Sequence, residues 1–95
     1  MNWTFQDVVD FLQQHFFVYS GSCGGSHRYY KGLVDGLPKL VEVQYHGNER
    51  VSPRCLQHDI IPKSGIPEVI WKAWGNAGNN RARKKVQYDG AKSLL

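Results

Sequence analysis

The amino-acid sequence predicts a single α+β domain, and three patterns carry that prediction. A helical periodicity opens the chain, strand patterns follow on both sides of a glycine-rich break, and a serine–proline pair starts a second helical stretch. The predicted order is helix, three-stranded antiparallel sheet, helix, then a short C-terminal helix and a basic tail.

Phe5, Val8, Val9, Leu12 and Phe16 recur at three- and four-residue intervals, which predicts a helix over residues 4–16 with one buried side. Gln6, Asp7, Asp10, Gln13 and Gln14 fall on the other side. Thr4 and Asp7 have the spacing of a capping box, and Trp3 is placed to staple onto Val8. Phe17, Val18 and Tyr19 favour extended backbone, and residues 20–26, SGSCGGS, break it with three glycines. A strand resumes over residues 27–31. A third, over residues 39–45, places Val41, Val43 and Tyr45 on one face and Leu40, Glu42 and Gln44 on the other. These strands join most simply as a meander, with GLVDGLP as the second connection. After the turn HGNER, Ser52 caps a helix with Pro53 in its first position. Leu56 and Ile60 form its buried stripe, and Pro62 is expected to stop it. Ile66 and Pro67 open a short third helix that carries Val69, Ile70, Trp71 and Trp74 and closes at Gly75.

A chain of 95 residues, 41% apolar and 13% aromatic, suits one domain with a core that needs no staples. Cys23 and Cys55 are too few for a disulfide framework, and the start MNWTFQDVVDF has neither a basic head nor an apolar run, so the expected location is cytoplasmic. No stretch approaches the roughly 20 apolar residues of a membrane span, and no membrane partner is expected. Twelve Lys and Arg against eight Asp and Glu give a net charge of +4 and a pI near 9.2, which favours a polyanionic partner. Part of that charge sits in RARKK (Arg81, Arg83, Lys84 and Lys85) beside GNAGNN, so residues 1–75 are read as the domain and 76–95 as a flexible basic tail. A nucleic-acid contact is the competing reading of that run.

His27 is the first candidate for chemistry, because it follows GGS, where glycines let backbone amides approach a ligand and leave a ring uncrowded. An imidazole titrating near neutrality can take the proton from a ribose 2′-hydroxyl, so that the oxygen attacks the adjacent phosphate without a metal. The amides of Gly25 and Ser26 are placed to orient that phosphate, and Arg28, Lys31 or Arg50 to neutralise its charge. A structural role for a histidine at a strand start stays open beside this. His46, in YHGNER, is a second proton carrier or phosphate ligand, or simply a polar residue opening a glycine turn. His15 reads as a helix C-terminal histidine favoured by the dipole. Cys23, His27, Cys55 and His58 match zinc in number but not in spacing, so no metal and no other cofactor is expected. Tyr29, Tyr30 and Tyr45 are candidates to stack on unpaired bases, with the core competing for them. No P-loop, nucleophile elbow or recognisable carboxylate pair is present.

GGSHRYYKG, then LVEVQYHGNERVSP, then a helix ending in KSGI, together resemble the HicA toxins of bacterial toxin–antitoxin systems, over roughly residues 4–66. The resemblance implies a fold like the double-stranded-RNA-binding domain, mRNA cleavage without a metal, and a HicB-type antitoxin as protein partner. It maps the family's glycine, serine and catalytic histidine onto Gly25, Ser26 and His27, its second histidine onto His46 and its closing glycine onto Gly65. The chain departs from the family pattern in Gln44 and Tyr45 before His46, in the length of SGSCGGS, in Pro62, and in residues 67–95. The function expected from the sequence is therefore a metal-independent endoribonuclease toxin, with a non-catalytic RNA-binding or protein-interaction module as the alternative.

Overall fold

The computed structural model describes residues 2–94 and has the predicted α+β order. Helix α1 spans Phe5–Gln14. At its start the Thr4 hydroxyl accepts the Asp7 amide at 3.0 Å while the Asp7 carboxylate accepts the Thr4 amide at 3.0 Å, so two amides without helical partners satisfy each other's residues. Its buried side is Val8, Val9, Phe11 and Leu12. Phe16 was expected on that side, but the helix ends first. Phe16 adopts a left-handed φ of 68° and stands 46% exposed, and the reversal sends Phe17 into the core instead. The Phe17 ring lies over Gly32, where an added Cβ would come within 2.6 Å of it.

Strands β1 (Val18–Ser22), β2 (His27–Val34) and β3 (Leu37–Gln44) form the sheet in the order β1-β2-β3. The second connection is much shorter than GLVDGLP. Only Asp35 and Gly36 lie between the strands, with φ of 53° and 79°, the pair of positive angles that a two-residue type I′ turn requires. This turn sets the register from Val34 opposite Leu37 back to His27 opposite Gln44. Tyr30, Val34, Val41 and Val43 are buried with the helices. Alternation then gives His27, Tyr29 and Lys31 the opposite face, together with Leu40, Glu42 and Gln44.

Ser52 caps the next helical stretch by accepting the Cys55 amide at 3.1 Å. This stretch runs through α2 (Pro53–Cys55), a π-helical segment (Leu56–Ile60) and α3 (Ile61–Ser64) to Gly65, which closes it with a φ of 73°. Pro62 does not stop it. The Ile61 amide bonds the Leu56 carbonyl, so the ladder widens by one residue immediately before the position that lacks an N–H.

Helix α4 (Glu68–Asn76) continues past Gly75, which therefore does not close it. Trp71 and Trp74 are buried, with Phe11 stacked on Trp71 at 3.9 Å and Trp3 stacked on Trp74 at 4.9 Å between ring centroids. Val69, expected in the same stripe, is 68% exposed.

The C-terminal segment departs most from expectation. Residues 76–94 are built into the domain, with α5 (Asn80–Lys84) and β4 (Ala91–Lys92), the latter paired antiparallel with β2 at Leu33 and Val34. Leu95, and Met1 at the other end, lie outside the described residues. Gln14 ties the segment down. Its amide nitrogen donates to the carbonyls of Arg83 and Val86, and its amide oxygen accepts the Trp74 indole N–H at 3.0 Å. Arg83 lies over the Trp74 ring at 4.2 Å and reaches the Asp7 carboxylate at 3.2 Å. Composition misleads here because Arg81, Lys84 and Lys85 are exposed while the anchors, Ala91 and the Arg83 stem, are apolar.

His15 is one of those anchors: it stands at the C-terminus of α1 as read, but as a buried ring rather than as a charge favoured by the helix dipole. It is fully buried, its Nε2 accepts the Tyr88 amide at 3.1 Å, and its Nδ1 must therefore carry the proton that it donates to the Phe11 carbonyl at 2.9 Å. Both nitrogens are used by the neutral ring, and burial pushes its pKa below the usual 6.5. The unfolded chain then binds a proton that the folded chain resists as pH falls through about 6.5. Folding stability is expected to fall as pH drops from 7 to 5, by at most about 1.4 kcal/mol per pH unit for this one proton. Denaturant titrations across that range check it, and His15→Gln is expected to flatten the dependence. Among the described residues no helix is long and apolar enough to cross a membrane.

Candidate active site

The turn before β2 is built by Gly24 and Gly25, with φ of 72° and 56°, angles that a side chain disfavours. It closes through the Cys23 amide on the His27 carbonyl and the His27 amide on the Gly24 carbonyl, both at 3.3 Å. The turn delivers His27 as the first residue of β2, opposite Gln44. Glu42, two residues back along β3, is the diagonal neighbour on the same face, and its Oε1 lies 2.5 Å from His27 Nδ1. Both side chains are about two-fifths exposed, at 42% and 39%.

An open cleft of about 480 Å³ surrounds this pair. Phe5 of α1, His27, Glu42 and Gln44 of the sheet, the connection through His46, Glu49 and Arg50, and Cys55 and Asp59 of the next helical stretch all line it. The His46 ring meets Phe5 edge-on at 5.3 Å, which holds the histidine against α1. The connection is fixed from below by the Tyr45 amide on the Ser26 carbonyl at 2.8 Å and by the pairing of Arg50 with Thr4. At the rim Lys63 binds Asp59 at 2.7 Å.

Comparison with protein-family models, curated proteins and solved structures found no significant match.

Of the predicted site residues, His27, His46 and Arg50 share the cleft. Gly25 and Ser26 lead into it without lining it. Arg28, one residue on from His27, points to the other face, where its guanidinium covers the Tyr45 ring at 3.9 Å. Lys31 is exposed on the His27 face but four residues along the strand, about 13 Å away at 3.3 Å per residue. Tyr30 is buried, and Tyr45 is occupied by Arg28 and by its hydroxyl on Gln6, so neither is free to stack on a base. Among the described residues no three His, Cys, Asp or Glu side chains form a metal-holding group.

Glu42 is the residue that the sequence reading passed over. The signal was present: counting outward from the Asp35–Gly36 turn pairs His27 with Gln44, and alternation then leaves Glu42 on the same face. Gln44 and Asp59 also line the cleft with no local pattern to mark them, and Cys55, weighed in the sequence only for zinc, lines it too. The Cys55 thiol is exposed, but partial desolvation and the Asp59 carboxylate push its pKa up, which disfavours the thiolate that a nucleophile needs. The arrangement offers an imidazole with one nitrogen bonded to a carboxylate, a second imidazole, and one guanidinium. Such a set can move a proton, and Arg50 is the cation in the lining for an anion, beside the carboxylates of Glu42, Glu49 and Asp59.

Proposed function

We propose that this chain is a metal-independent endoribonuclease acting on mRNA, as its resemblance to the HicA toxins implies. The observation that supports this most is the shared cleft: the β2–β3 register brings His27 to one opening with His46 and Arg50. In this reading a phosphate of the RNA lies beside Arg50. His27 takes the proton from the neighbouring 2′-hydroxyl, the O2′–P bond forms as the P–O5′ bond breaks, and His46 or water returns a proton to the leaving 5′-oxygen. The products carry a 2′,3′-cyclic phosphate and a 5′-hydroxyl. The element order helix, three strands, helix agrees with the double-stranded-RNA-binding type of fold. A HicB-type antitoxin is the partner that goes with this reading.

One observation favours a protein-interaction module instead: Val18, Tyr19, Leu40 and Leu94 are all more than two-fifths exposed on or beside the sheet. Incubating the purified chain with RNA in chelator separates the two. Fragments ending in cyclic phosphate are expected, and RNA that stays full length would contradict the proposal. Salt-sensitive RNA binding without cleavage would point to the non-catalytic RNA-binding alternative.

A further inference from the structure

We infer that Glu42 is the positioning residue of this site, holding His27 in the tautomer that leaves Nε2 bare for the substrate. The inference rests on the ribonuclease reading for its catalytic consequence, but its structural half stands apart from it.

An imidazole at a strand end rotates about two side-chain bonds and exchanges its proton between two nitrogens, so its position in the sequence does not say which nitrogen faces a substrate. Here the Glu42 carboxylate lies 2.5 Å from Nδ1. A carboxylate is acceptor only, so a neutral ring in this contact carries its proton on Nδ1 and presents an unprotonated Nε2. The backbones that carry the two side chains are both fixed. Glu42 sits within the β2–β3 ladder opposite Tyr29, and the His27 amide is fixed to the Gly24 carbonyl. Of the charged groups near Glu42, Lys63 is bonded to Asp59 and Arg50 and Glu49 line the same cleft, while Arg28 lies on the opposite face over Tyr45. His27 is the partner Glu42 meets at hydrogen-bonding distance.

When Nε2 takes the 2′-hydroxyl proton, the ring becomes a cation with Glu42 already against it. The carboxylate stabilises that charge and keeps its own lone pair on the Nδ1 proton, so no second proton transfer is needed. Truncating Glu42 releases the ring and lets the proton move to Nε2, where it blocks the base.

The test compares the full chain with Glu42→Ala and Glu42→Gln by ¹⁵N imidazole NMR and by steady-state RNA cleavage. The wild type is expected to show neutral His27 protonated on Nδ1. In Glu42→Ala the proton is expected to shift mainly to Nε2, with kcat reduced about 100-fold and KM within about 3-fold. Glu42→Gln, whose amide oxygen still accepts from Nδ1, is expected to keep the tautomer and recover part of kcat; it also serves if the alanine variant folds poorly. A Glu42→Ala protein with the wild-type tautomer, or with wild-type kcat, overturns the inference. A wild-type chain that cleaves no RNA overturns the ribonuclease reading, while the NMR comparison still decides the role of Glu42 on its own.

Discussion

Trp71→Ala is expected to bring the domain close to unfolding. Trp71 is fully buried, stacks on Phe11, lies 5.3 Å from the Trp3 ring and donates its indole N–H to the Ser64 hydroxyl at 3.3 Å. Ser64 in turn accepts from Trp71 while donating to the Ile61 carbonyl at 2.7 Å, so the tryptophan also supports the helical stretch that borders the cleft. Removing a buried tryptophan side chain costs about 3–5 kcal/mol, against a total stability of about 5–15 kcal/mol for a domain. The loss corresponds to a thermal midpoint lower by at least about 12 °C in a domain of this size. Val69→Ala, two residues back on the same helix and turned to its other side, is expected to change stability by less than about 0.5 kcal/mol because Val69 is 68% exposed. Urea unfolding of the two variants checks the contrast, and equal losses would contradict the packing of α4.

The elements whose signals are local were legible from the residues alone. The capping box at Thr4, the helix start at Ser52–Pro53 and the alternation of Val41 and Val43 depend on groups a few residues apart, and each forms as read. The misplacements share a different cause. Phe11 and Phe17 fill the core that Phe16 was expected to fill, because the exact residue at which α1 ends decides which aromatic turns inward. Pro62 is accommodated by a π-helical turn whose stabilisation comes from packing Leu56, Ile60 and Ile61 into the core, a gain that local propensity does not record. The ordered C-terminal segment is the largest case. Gln14, read as a solvent-facing residue of α1, makes contacts 60 to 72 residues away in sequence, and nothing in RARKK announces the β4 strand beyond it. The site divides in the same way. His27 stood out by its glycine neighbours, whereas Glu42 became visible only through the register, and Arg28 was lost from the cleft by the same strand alternation that gained Glu42.

The second large effect is at the cleft itself. His27→Ala removes the one imidazole bonded to a carboxylate there, while its half-exposed side chain contributes little to the core. General acid–base catalysis contributes about 100- to 10,000-fold, so RNA cleavage by the variant is expected to fall at least about 100-fold. Its thermal midpoint is expected to stay within about 8 °C of the wild type, the most that a loss near 1 kcal/mol or less produces. His46→Ala is expected to fall less, since water can replace it as proton donor, whereas nothing in the cleft replaces His27 as the oriented base. Expression in bacteria gives a second readout: growth arrest by the wild-type chain and its relief by His27→Ala at equal protein level.

The most direct measurement is cleavage of one RNA by the wild type and by His27→Ala, side by side, in chelator. Cyclic-phosphate fragments are expected from the wild type and intact RNA from a folded His27→Ala protein. Equal cleavage by the two, or none by the wild type, would contradict catalysis by His27.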